Sequence, residues 1–212
     1  MDEDLKKSIL KTGTTILGIV CKDGVVMAAD RRASLGGIIF YKDDYKVEAI
    51  NDYLVFAGCG GATEIQKVSK LLIAELKLKQ LRSKTRPSVK QAASLLSNIQ
   101  VQMSAFILAG FDEDGTFSLY EITGGFLKRV DDYGASLGSG MPYVLGLLER
   151  QYKKGLNVKE GIELAKEALK SSTQRDPASG NGIDIFTITK DGISKVVEQT
   201  IEPNYVDDKK EK

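Results

Sequence analysis

The chain contains no histidine in 212 residues. This removes Ser-His-Asp and Cys-His hydrolase machinery, histidine-based zinc sites and the usual general base near neutral pH. Hydrolytic chemistry would then need a Ser or Thr hydroxyl activated by a lysine, a carboxylate or a chain-terminal α-amine. Such an amine has a reference pKa of about 7.7–8.0, close to the range that general-base catalysis prefers. Residues of these types recur along the chain. Thr14 follows Gly13 where a polar, Lys-rich leader gives way to a strand pattern, and Asp30-Arg31-Arg32 forms a charged cluster followed by Lys46. Gly58 opens Gly58-Cys59-Gly60-Gly61, Ser139 lies between Gly138 and Gly140, and Asp176 and Ser179 lie three apart. Cleavage of the Gly13-Thr14 bond would place a hydroxyl and a free amine on one residue.

The elements around these residues follow from periodicity. From Thr14 the sequence alternates, with Thr14, Ile16, Gly18 and Val20 on one face and Thr15, Leu17, Ile19 and Cys21 on the other. Asp23-Gly24 signals a hairpin turn into an almost wholly apolar strand, Val25 to Asp30. A hairpin sets the start of one strand beside the end of the next, so Thr14 and Asp30 are expected to be neighbours. Charged residues at a sheet end facing water are the ordinary alternative. Ile38 to Tyr41 and Tyr53 to Ala57 read as further strands. Two helical stripes follow: Ile65, Val68, Leu72 and Leu76, then Val89, Ala92, Leu96, Ile99 and Met103 behind a Ser88/Gln91 capping box. A meander is expected over Ala105 to Phe111, Thr116 to Ile122 and Phe126 to Val130. A helix starting near Pro142 and a second capped by Asn157 with Glu160 come next, and Ile183 to Thr189 and Ile193 to Glu198 close the pattern. Strand groups separated by helix pairs predict an α+β fold, a four-layer αββα sandwich with two antiparallel sheets between helix pairs.

Composition narrows the function classes. The net charge is +1, and no basic block interleaves with aromatics, which argues against nucleic-acid binding. No run of about 18 apolar residues suggests a membrane span, and the leader lacks the apolar core of a secretory signal. A soluble, cytoplasmic protein is expected. Cys21 and Cys59 sit in apolar patterns and read as small buried hydrophobes, and the charged tail Asp207 to Lys212 reads as disordered. Neither a metal nor a cofactor is implied.

The ordered segments Thr12-Gly13-Thr14-Thr15-Ile16-Leu17-Gly18, Lys22 to Arg32, Lys46, Ala57-Gly58, Gly138-Ser139-Gly140 and Gln174 to Gly180 resemble the β subunits of the 20S proteasome, archaeal type, from Gly13 to about Glu198. The resemblance implies an N-terminal nucleophile hydrolase made as a precursor. Residues 1–13 would be a propeptide removed autocatalytically, 14–200 a peptidase domain and 201–212 a charged tail. Thr14 would attack the Gly13 carbonyl and afterwards serve as nucleophile, with its own amine taking part in proton transfer. Lys46 would stay protonated beside Oγ with Asp30 as its ionic partner, and Arg32 would brace the pair or stand as an ordinary surface arginine. The Gly58 N–H would hold the oxyanion, a kind of contact that contributes about 2.7–4 kcal/mol. Ser139, Asp176 and Ser179 would orient the amine and a catalytic water, while Ala33, Phe56 and Gly60 would line an apolar, shallow substrate pocket. The chain departs from the family in having Ala62 where Asp is common and in being slightly shorter between Lys46 and Gly58.

The implied partners are α subunits and other β subunits in stacked seven-membered rings, an ATPase regulator and unfolded polypeptides. The alternative is an unprocessed, non-catalytic structural subunit of a mixed ring. A simpler bacterial threonine peptidase shares the Thr-Thr start, but the Gly138-Ser139-Gly140 and Arg175-Asp176 segments together disfavour it.

Overall fold

A computed structural model of the chain describes residues 13–35 and 37–202. Residues 1–12, most of the expected propeptide 1–13, and residues 203–212, which include the tail Asp207 to Lys212 expected to be disordered, lie outside the described residues.

The alternating opening segment forms β1 (Ile16–Cys21), and Asp23-Gly24 turns it into β2 (Gly24–Asp30), every residue of which is buried. β2 lies inside a five-stranded antiparallel sheet in the order β10-β1-β2-β11-β12, completed by β10 (Tyr133–Ala135), β11 (Gly182–Thr189) and β12 (Gly192–Thr200). The second five-stranded sheet runs β5-β6-β7-β8-β9, from β5 (Val47–Ala49) through β6 (Leu54–Cys59), β7 (Ala105–Phe111) and β8 (Phe117–Thr123) to β9 (Phe126–Val130). A separate two-stranded ribbon joins β3 (Ala33–Leu35) and β4 (Ile38–Tyr41). The short strands β3 and β10 have too few residues to show a period, so periodicity does not reveal them.

Each helix pair covers the outer face of one sheet. Helices α1 (Ala62–Ser83) and α2 (Val89–Ser97) bury Val68, Leu72, Val89 and Leu96 against Leu54, Phe56, Phe106 and Leu108 of the second sheet. Helices α3 (Met141–Gln151) and α4 (Val158–Arg175) bury Val144, Leu148, Ala165 and Leu169 against Leu17, Ile19 and Val26 of the first. The inner faces meet through Ile16, Met27, Val55, Ala57, Ile107 and Leu119. The two faces assigned to β1 therefore separate as the alternation requires, and the architecture is the expected αββα sandwich.

Both capping boxes form. The Ser88 side chain accepts from Gln91 N at 3.2 Å, and the Asn157 side chain accepts from Glu160 N at 2.9 Å. The second helical stripe ends sooner than its periodicity predicts. Ser97 Oγ and Asn98 Nδ2 both donate to the Ser94 carbonyl, satisfying an acceptor of the last turn and stopping α2, so Met103 lies outside the helix and is 68% exposed.

Candidate active site

The hairpin brings Asp30 to the start of β1, one residue along from the expected pairing. Thr15 lies opposite Asp30: Asp30 N donates to Thr15 O at 3.1 Å, and Thr15 N donates to Asp30 Oδ1 at 2.8 Å. Lys46, delivered at the entry to β5, donates its Nζ to the same Asp30 Oδ1 at 2.7 Å and to the Arg32 carbonyl at 2.5 Å. The Lys46 and Asp30 side chains are 4% and 0% exposed, so the pair lies out of water. Arg32 N and Gly180 N each donate to Asp30 Oδ2 at 2.9 Å. A buried carboxylate thus meets four donors, which is how a charge is held in a core.

The three residues of the charged cluster have separate contacts. The Arg31 guanidinium turns to the buried Asp184 carboxylate, with Nε at 2.8 Å and Nη2 at 2.5 Å. Arg32 meets the Lys46/Asp30 pair through its backbone. Its side chain spans the turn after α4, donating to Asn181 Oδ1 and the Pro177 carbonyl, both at 2.7 Å.

A second group of hydroxyls gathers around Asp176, the C-cap of α4. Ser139 Oγ donates to Asp176 Oδ2 at 2.5 Å, Ser179 Oγ to the same oxygen at 2.6 Å, and Ala178 N to Oδ1 at 3.1 Å. Ser139 Oγ accepts the Thr14 N–H at 3.2 Å. Each hydroxyl has one proton. Because Ser179 donates to Asp176, it must accept at the 2.8 Å contact with Thr15 Oγ1. Close backbone approach makes this possible: a Cβ on Gly138 would stand 2.0 Å from the Thr14 carbonyl oxygen. Thr14 itself donates Oγ1 to the Gly13 carbonyl oxygen at 2.6 Å, in a buried contact.

The structure therefore brings Thr14, Asp30, Lys46, Ser139, Asp176 and Ser179 into two connected groups, with Thr15 as the link. Thr15, Gly180 and Asn181 were missed in the sequence. Thr15 was read only as a face of the strand, and the Asn-Gly sequence after Gly180 is the one local signal for the turn, where Asn181 takes φ 60°. Gly58 lies near Lys46, but its N–H is donated to the Lys46 carbonyl at 3.2 Å. Phe56 is 1% exposed, and its ring packs on Phe106 at 5.3 Å in the layer beneath α1 and α2, so it forms core there. Ala33 and Gly60 are half-buried.

Electrostatics separate these groups from their neighbours. Burial pushes the Asp44 carboxyl above its ordinary range, with the Lys46 charge opposing the rise. Burial likewise raises the Cys59 thiol, and it pushes the Cys21 thiol up to about 12. Both cysteines are held as thiols and behave as the small buried hydrophobes their context suggested. Among the described residues no helix is long and apolar enough to cross a bilayer.

Two antiparallel sheets enclosed by helix pairs, with the first strand opening onto this cluster, define the N-terminal nucleophile hydrolase fold. Residues 10–188 match the family described as proteasome subunit. The chain is 41% identical over 196 residues to proteasome subunit beta 1 of Thermococcus onnurineus strain NA1, covering 90% of this chain and 95% of that one. It is 42% identical over 186 residues to proteasome subunit beta 2 of Pyrococcus abyssi, covering 85% and 88%, and 41% identical over 190 residues to the proteasome subunit beta of Nanoarchaeum equitans, covering 86% and 96%. The chain belongs to the proteasome subunit family.

Proposed function

We propose that this chain is a catalytic β subunit of a 20S proteasome core, a threonine endopeptidase that first cleaves its own Gly13-Thr14 bond. The observation that carries the reading is the Thr14 hydroxyl donating to the Gly13 carbonyl oxygen at 2.6 Å, one residue before Thr15, whose N–H donates at 2.8 Å to Asp30 of the buried Lys46/Asp30 pair. In self-cleavage a bond forms between Thr14 Oγ and the Gly13 carbonyl carbon, the C–N bond breaks, and the hydroxyl proton ends on the freed Thr14 nitrogen. Water then hydrolyses the ester and releases the leader. Two of the three Lys46 ammonium protons go to Asp30 and Arg32. The third is the donor that favours negative charge developing on Thr14 Oγ.

In turnover the new α-amine takes the Oγ proton. Ser139 accepts an N–H from the same nitrogen, which directs the nitrogen lone pair away from the Asp176 group and leaves it for the hydroxyl. The Gly58 N–H holds the oxyanion once its 3.2 Å bond to Lys46 is shared with the substrate. Ala33 and Gly60, both half-buried, border the substrate pocket, whereas Phe56 is core under α1 and α2 and stays out of it.

Assembly into rings with α subunits and further β subunits fits the apolar surface of the lone chain. Ile38, Ile39, Phe40 and Tyr41 on β4 and Leu71, Ile73, Leu78 and Leu81 on α1 are all exposed. The substrates are unfolded polypeptides passed on by an ATPase regulator in the cytoplasm.

The test is the intact mass and N-terminal sequence of the assembled protein. A chain beginning at Thr14 is expected, and Thr14→Ala should abolish both processing and peptide hydrolysis. Active particles that retain Met1 to Gly13 would sink the assignment. The Gly58 N–H, already engaged with Lys46, favours a second reading, a non-catalytic structural subunit. That subunit would assemble with its leader intact and hydrolyse nothing.

A further inference from the structure

Self-cleavage needs something that peptide turnover does not: a seat for the residue under attack while its carbonyl is still bonded to Thr14. Gly13 occupies such a seat. Its N–H donates to Ser34 Oγ at 3.0 Å in a buried contact. A Cβ built on it would stand 1.8 Å from Ala178 Cβ and 2.7 Å from both the Ala178 carbonyl oxygen and Ser34 Oγ. Ser34 lies in β3 and is 7% exposed. Ala178 belongs to the turn that also presents Ser179 to Asp176 and Gly180 N to Asp30.

Two consequences follow from this geometry. Any residue with a side chain collides with Ala178 in this pose, so general peptides, which carry side chains before the scissile bond, must bind in another. Glycine also has the widest backbone freedom of any residue, and Gly13 is held at both ends, by Ser34 at its N–H and by Thr14 Oγ1 at its carbonyl. Without the first contact the carbonyl can rotate off the hydroxyl, and the near-attack geometry that speeds an intramolecular reaction is lost.

We propose that Ser34 is a positioning residue for the cleavage of the Gly13-Thr14 bond, and that the seat it forms with Ala178 serves the leader rather than peptide substrates. The proposal rests on the reading of Thr14 as the nucleophile. A neutral hydrogen bond of this kind corresponds to roughly a two- to tenfold change in rate.

The experiment follows processing of the full chain by intact mass over time for the wild type, Ser34→Ala and Ser34→Thr. It then measures peptide hydrolysis by the processed particles per mature N-terminus. Ser34→Ala is expected to slow processing roughly two- to tenfold, by a larger factor than it changes hydrolysis per mature N-terminus, and Ser34→Thr, which retains the hydroxyl, should restore processing. Unchanged processing in Ser34→Ala overturns the proposal. So does an equal loss in both readouts, which marks a general role in the site, or a threonine variant as slow as the alanine one. Failure of the underlying reading is separately visible, because the wild-type chain itself would then keep its leader.

Discussion

Replacing Asp30 with asparagine tests the centre of the site with little change in shape. The Asp30 carboxylate is fully buried and accepts Thr15 N and Lys46 Nζ on Oδ1, at 2.8 and 2.7 Å, and Arg32 N and Gly180 N on Oδ2, both at 2.9 Å. Asparagine offers one acceptor and one donor group. Whichever way its amide is turned, the NH2 faces two donors, and Lys46 keeps a buried charge without a counter-ion. Removing one partner of a buried ion pair costs about 3–5 kcal/mol. At about 2–4 °C per kcal/mol for a chain of this size, the melting temperature should fall by about 6–20 °C. The chain has no tryptophan, so the assay is far-UV circular dichroism of the unassembled protein during urea and thermal unfolding. Thr14→Ala is the control: that hydroxyl donates only to the Gly13 carbonyl, and its loss should cost about 1 kcal/mol. An Asp30→Asn chain within about 1 kcal/mol of wild type would refute the assignment of Asp30 as the ionised anchor of Lys46.

Two further outcomes follow from contacts nearby. Gly13→Ala should block conversion to a chain starting at Thr14, because the new Cβ meets Ala178 Cβ at 1.8 Å; wild-type processing by intact mass would show that the turn yields easily. Glu64 is held below its ordinary 4.5, chiefly by the Ser104 hydroxyl against an opposing effect of burial, with help from the N–H groups of Gln102 and Met103. A carboxyl lowered in the folded state contributes fully above its unfolded value, and its contribution is lost as pH falls through the lower folded value. Amide hydrogen exchange at Gln102 and Met103, corrected for intrinsic rates, should therefore lose protection on acidification below about pH 4.5, and flat protection would contradict it.

The layers were legible in the sequence because long strands and amphipathic helices repeat their periods several times. The β1 alternation, the apolar β2 and the Ser88 and Asn157 capping boxes all declare themselves locally. Features set by contacts distant in sequence were not legible. Thr15 owes its place to Ser179, 164 residues away, and Arg32 owes its reach to Asn181, 149 residues away. Phe56 was assigned to a pocket by position along the chain, yet strand alternation puts its ring on the opposite face from Val55 and Ala57, under the helices. The short β5–β6 connection, by contrast, is a local matter. Asn51 Oδ1 accepts the N–H groups of Tyr53 and Leu54 at 3.0 and 2.8 Å, so few residues suffice to reverse the chain.

Asp176 occupies a position that helix electrostatics disfavour, since a carboxylate at a helix C-terminus faces the negative end of the macrodipole. It is accommodated there by three donors: Ser139, Ser179 and the Ala178 N–H. Those donors have a direction. Both hydroxyl protons point to the carboxylate, so Ser139 can only accept from Thr14, and Ser179 can only accept from Thr15. In the uncleaved chain the Thr14 nitrogen satisfies this as an amide N–H. If the proposed cleavage takes place, the nitrogen would satisfy it unchanged as an amine N–H, and the new lone pair would be excluded from the Ser139 side. Under the proposed cleavage, the unfavourably placed carboxylate would thereby fix which side of the new amine acts as a base before that amine exists.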